Sequence, residues 1–112
     1  MRNRAINALI EMGIPANIKG FSYIVDVIGL FEEDDSWRTG KTTALYQKIS
    51  KMNNTTPSRV ERSIRHAFGT VLSNGDPEIV KKYLTYQNTT NGNLLAVFYI
   101  RLLQEGEKEN AN

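Results

Sequence analysis

Apolar positions recur along this chain at helical rather than strand spacing. Ile6, Leu9 and Ile10 form a short stripe that Gly13 and Pro15 close, which predicts a first helix over about residues 2–12. A tight connection over residues 14–20 follows, and then Phe21, Ile24, Val25, Ile28 and Phe31 mark a second helix. Glu32, Glu33, Asp34, Asp35 and Ser36 read as a solvated loop, with Trp37 returning to the core. Leu45, Ile49 and Met52 predict a third helix over about residues 41–52, ended by a turn in which Asn53 takes the left-handed conformation. The longest pattern comes next. Thr56 is placed as N-cap and Pro57 as first helical residue, and Val60, Ile64, Ala67, Phe68, Val71 and Leu72 share one side of a helix over about residues 57–73. Asp76, Pro77 and Glu78 repeat the cap signature and open a helix through about residue 84. Beyond the polar loop from Tyr86 to Gly92, a helix over about residues 93–104 is apolar on nearly every side, as a central core element would be; residues 105–112 read as a polar, frayed tail. The expected fold is all-α, with about six helices and no strand, in a single domain over residues 1–112.

Composition narrows the function classes. The 112 residues are 40% apolar and 23% charged, an ordinary globular balance. Zero cysteines exclude disulfides, thiolate metal sites and cysteine nucleophiles, and fit a reducing cytoplasmic setting. No signal peptide is visible, and the apolar run from Leu94 to Leu103 falls far short of the roughly 20 residues a bilayer needs, so no membrane partner is expected. Gly40-Lys41-Thr42 invites a nucleotide-binding reading, but the glycine a P-loop requires five residues before Gly40 is Asp35, a carboxylate where phosphate should sit. The ordinary alternative is a helix N-terminus. With one histidine, His66, and no paired carboxylates at helical spacing outside the acidic loop and the tail, no catalytic, metal or cofactor site is expected, and the chain does not read as an enzyme.

Charge changes the picture more than composition does. Net charge is only +2, yet residues 38–82 carry nine Lys/Arg against three Asp/Glu, a local +6, while the remainder carries five against nine, or −4. The basic half contains the longest helix. Arg62 lies almost opposite the centre of its apolar stripe, with Ser58, Arg59, Arg65 and His66 spread around it. Arginine can donate two parallel hydrogen bonds to guanine O6 and N7, glutamate accepts from cytosine N4, and Ser or His serves bases or phosphates. A basic face of this kind is equally an ordinary solvated helix surface. The shorter helix and tight turn before it complete a helix-turn-helix, in which residues 41–52 brace residues 57–73, Lys48 and Lys51 face the DNA backbone, and Arg59 and Arg62 enter the groove. Lys19, at the start of the second helix, reads either as a phosphate contact or, equally, as an ordinary exposed surface lysine.

At these residues the sequence resembles the C-terminal DNA-binding domain of the stage 0 sporulation protein A response regulators. Gly13-Ile14-Pro15-Ala16 with Ile18-Lys19-Gly20, and Ser58-Arg59-Val60-Glu61-Arg62 with Ile64-Arg65-His66-Ala67, carry the resemblance, together with Leu45-Tyr46, Ile49 and Asn54-Thr55-Thr56. It implies a sequence-specific transcription regulator in sporulation control that binds tandem short elements of double-stranded promoter DNA, with a tandem dimer on DNA and RNA polymerase as further partners. Base reading would fall to Arg59, Glu61 and Arg62. Backbone contacts would fall to Lys19, Ser58 and their neighbours, among which Lys48, Lys51, Arg65 and His66 are the candidates. Asn17 stands where the family usually has histidine, the acidic run from Glu32 to Asp35 departs from a more apolar connection, and the family's receiver domain is absent from these residues. The chain then reads either as an isolated effector domain or as a short stand-alone relative. A rival reading is a protein-interaction module that binds polymerase or a partner regulator without DNA; it leaves Arg59, Glu61 and Arg62 without a purpose.

Overall fold

The computed structural model describes residues 1–110. Among them are seven helices and no strand: α1 (Arg2–Met12), α2 (Lys19–Glu33), α3 (Ser36–Thr39), α4 (Thr42–Met52), α5 (Pro57–Asn74), α6 (Pro77–Tyr83) and α7 (Asn91–Asn110). The all-α expectation holds. The seventh helix, α3, lies in and just beyond the stretch expected to be a loop. Helix α2 runs on to Glu33; Asp34 then takes the Ser36 N–H on its side chain and Asp35 clasps Arg38. The acids are thus local hydrogen-bond acceptors that tighten one extra turn. Trp37 packs partly buried against the core, as expected.

Several expected termini recur with their chemistry. Gly13 is left-handed (φ 95°), its N–H reaching the Ile10 carbonyl while the Ile14 N–H reaches Leu9, the bonding that closes a helix with glycine. Thr56 caps α5 by accepting from the Arg59 N–H, and Asp76 caps α6 from the Glu78 N–H. Gly40 and Lys41 precede the plain N-terminus of α4, with no strand before them.

The core corrects two expectations. Helix α2, with Phe21, Tyr23, Ile24, Val25, Val27, Ile28, Leu30 and Phe31 buried, is the central element, packed on α1, α3, α4, α5 and α7. Helix α7 is one-sided instead: Leu94, Leu95, Phe98, Tyr99 and Leu102 are buried, while Ile100 and Leu103 are each 38% exposed. It begins two residues earlier than expected and continues through residue 110; residues 111–112 of the expected tail lie outside the described residues. In α1 the inward face is Ala5, Ala8, Leu9 and Met12, and Ile10 is 56% exposed. Two alanines allow α1 to lie close on its neighbours, and that close approach fixes which side turns inward.

Glu11 of α1 accepts the Tyr83 hydroxyl proton at 2.6 Å and lies 3.4 Å from Lys82, tying α1 to α6. The hydroxyl, with Lys82 behind it, holds the Glu11 carboxyl below its usual range, and burial pushes the Tyr83 phenol up, so Tyr83 stays a donor. Because the folded-state value is the lower one, the contribution is full above the unfolded value near 4.5 and is lost as pH falls through the folded value. Tyr83→Phe is therefore expected to reduce stability to urea at pH 7, by an amount that shrinks as pH falls below the unfolded value near 4.5. A pH-independent difference between the two proteins would locate the effect in packing alone.

Candidate nucleic-acid interface

Helix α5 buries Val60, Ile64, Ala67, Phe68 and Val71 and leaves Ser58, Arg59, Arg62, Arg65 and His66 exposed, so one stripe sorts core from surface as its spacing predicts. Its inner face rests on α2 and α4. The crossing with α2 is close: a side chain at Gly20 would place its Cβ 2.3 Å from the Ser63 carbonyl oxygen and 3.0 Å from the Ala67 Cβ. Only glycine fits there. Lys19, the neighbouring residue, is thereby brought beside α5, and Lys19, Arg62 and His66 border one shallow groove with Ile18, Gly20 and Ser63.

A second groove lies between α2 and the turn joining α4 to α5. Lys19, Tyr23, Asn53, Asn54, Thr55, Arg59 and Arg62 line it. A third, between α4 and α5, is lined by Thr43, Tyr46, Gln47, Ser58, Glu61, Arg62 and Arg65. Arg62 borders all three, as the residue at the crest of the helix should. Lys48 and Lys51 are exposed but line none of these grooves. On α4 the side chains turned toward the front of α5 are Thr43 and Gln47. Their spacing of four places them on one helix side with Tyr46 between, a signal present in the sequence but masked by the greater visibility of the lysines.

Electrostatics distinguish the basic side chains. Arg65 Nη1 is 2.7 Å from Glu61 Oε1, so one backbone candidate and one base-reading candidate are paired with each other, and Glu61 is half-buried. Among the described residues Lys19, Arg59 and Arg62 make no ion pair. The acidic run sits at the other end of α2 from Lys19. Fourteen residues of helical rise separate Glu33 from Lys19, about 21 Å, well beyond the roughly 8 Å over which exposed charges act at physiological salt.

The turn itself differs by one residue from expectation. Asn54, not Asn53, is left-handed (φ 51°), and the Thr55 N–H closes on the Ser50 carbonyl. Asn53 stays at φ −116° because its backbone N–H and its side-chain amide both serve the Ile49 carbonyl at the end of α4. A further support was not legible in the sequence: Asn91, which opens α7, donates to the Glu61 carbonyl at 3.0 Å and fastens the two helices together.

Among the described residues no helix is long and apolar enough to cross a membrane. The sequence matches the family described as sporulation initiation factor Spo0A C terminal, over residues 5–102. With that match spanning nearly the whole chain of an all-helical fold, the protein belongs to the Spo0A C-terminal family, a family of sporulation DNA-binding effector domains rather than of enzymes.

Proposed function

We propose that this chain, as a single helix-turn-helix domain, is a sequence-specific transcription regulator that lays α5 in the major groove of promoter DNA. The observation that carries the proposal is the convergence around Arg62, at the crest of α5, of Lys19, Arg59 and Arg62, cations from two helices that make no ion pair among the described residues. An α-helix fits the major groove, where Arg62 and Arg59 can each present a planar fork to guanine and Glu61 can accept from cytosine. Lys19, Ser58, Arg65 and His66 flank these positions and hold phosphates, which set register without carrying sequence. Lys48 and Lys51, on the outer side of α4, add charge to the approach. The resemblance to sporulation regulators supports two further partners, a second copy on an adjacent element and RNA polymerase.

Selection from a pool of random duplexes, followed by gel shift against a scrambled competitor, tests the reading. One enriched short motif is expected; a pool that stays random overturns it. Affinity for the selected duplex should fall steeply with salt, with a slope of about −0.9 in log K per log salt for each phosphate neutralised. Lys19 and Arg65 each contribute, so removal of either should make the slope shallower by about that amount, and removal of Lys48 or Lys51 by less. A flat response would mean that the basic face does not meet the phosphates.

A further inference from the structure

We propose that Asp26 is a positioning residue for DNA reading, fixing the helix-turn-helix turn relative to Lys19; the inference rests on α5 reading DNA as set out above. Asp26 lies on α2, seven residues beyond Lys19, with its side chain only 21% exposed. Its two carboxylate oxygens serve different elements. Oδ1 accepts from Arg2 Nη1 of α1 at 2.9 Å, and Oδ2 accepts from the Asn53 side-chain amide at 3.0 Å. That same amide nitrogen donates its other hydrogen to the Ile49 carbonyl at 2.9 Å. Both donors of Asn53 are thus committed, one to the end of α4 and one to α2.

The consequence is geometric. Asn53 is the last residue before the chain turns into the left-handed Asn54, and the turn delivers Thr55, the Thr56 cap and Arg59. Lys19 and Asn53 through Thr55 face one another across the groove that Arg59 and Arg62 also border. One end of α2 holds the phosphate candidate, and Asp26, two turns on, holds the turn, so a single rigid helix sets the distance between them. Arg2 completes the support: its guanidinium lies so close over Gly29 that a Cβ there would come within 2.5 Å of it. Held there, it neutralises Asp26 and leaves no free carboxylate beside a surface that meets phosphates.

Electrostatics and positioning predict opposite signs, which makes the role testable. Removing Asp26 deletes one negative charge near the DNA, so a purely electrostatic residue would bind every duplex more tightly when replaced. A positioning residue loses the selected duplex and keeps the scrambled one. The experiment measures binding isotherms for the duplex selected by the parent protein and for its scramble, at one salt concentration, with melting curves confirming that each variant is folded at the assay temperature. Asp26→Ala and the isosteric Asp26→Asn are each expected to lower the ratio of selected to scrambled affinity about tenfold, the size of coupling seen within one hydrogen-bonded network. Asn53→Asp, which sets two carboxylates face to face, should lower it as far. Asp26→Asn combined with Asn53→Asp keeps the parent charge and restores a donor opposite an acceptor between α2 and the turn, but it sets a carboxylate against the Ile49 carbonyl, so it is expected to recover no more than part of the ratio. An undiminished ratio in the two Asp26 variants overturns the positioning role while leaving DNA reading intact. If the parent selects no duplex, DNA reading fails and this inference fails with it.

Discussion

Replacing Gly20 with alanine is expected to damage stability and DNA reading together. The ideal Cβ lies 2.3 Å from the Ser63 carbonyl oxygen, an atom of the α5 backbone that cannot swing aside as a side-chain tip could. To reach ordinary contact, α2 and α5 must part by roughly 1 Å along their crossing. Overpacking of this kind costs about 1–3 kcal/mol. In a domain of this size each kcal/mol lowers the melting temperature by about 4 °C or somewhat more. The displacement also moves Lys19 relative to Arg62, so binding to a preferred duplex should weaken even where both proteins are fully folded. Gly69→Ala is the control. Gly69 lies inside α5 with no atom beyond its own stretch of helix within 4 Å of where its Cβ would sit, so alanine there should stabilise by about 0.5–1 kcal/mol through helix propensity. An unchanged melting temperature for Gly20→Ala would show that the two helices separate without cost and that their close crossing does not place Lys19.

Arg62→Ala is expected to cost about 1–3 kcal/mol on the preferred duplex and to relax preference at one base pair, as loss of a bidentate contact to guanine does. Arg62 borders all three grooves around α5 and has no ion-pair partner among the described residues, so its fork is free to meet a base edge. Arg62→Lys should recover only part of the loss, because an ammonium lacks the planar pair of donors. Lys19→Ala should weaken preferred and scrambled duplexes about equally, since a phosphate contact carries no sequence information. Paired isotherms for each variant at one salt concentration separate the roles. A fall by the same factor on both duplexes for Arg62→Ala would make Arg62 a phosphate contact and move base reading to Arg59 and Glu61.

Glu61 shows how the free protein prepares such a surface. Its pairing with Arg65 is an exposed i,i+4 contact of the kind that contributes only a few tenths of a kcal/mol, so binding can exchange it for DNA contacts at little cost. Asn91 meanwhile holds the Glu61 backbone from the other side through its carbonyl.

Local chemistry determined most of the helices and the sorting of α5 by itself. Thr56 and Pro57, Asp76 and Pro77, and Gly13 mark termini because caps, fixed φ angles and a left-handed glycine act within four or five residues. The stripe from Val60 to Val71 separates core from surface because helical periodicity acts within one helix, and that placed Arg59, Arg62 and His66 outside without reference to any partner. Tertiary structure decided what depends on two helices meeting. It made α2 the centre instead of α7, because coverage of an apolar helix depends on which neighbours flank it. It chose Ala5 and Ala8 over Ile10 as the inward face of α1, since the closeness of approach favours small side chains. It tied Asn53, next to the left-handed Asn54, to Asp26 on a helix twenty-seven residues away in sequence, a contact that no local pattern shows. The juxtaposition of Lys19 with Arg62 belongs to the same class: each residue was legible alone, but their common groove exists only because Gly20 lets two backbones approach.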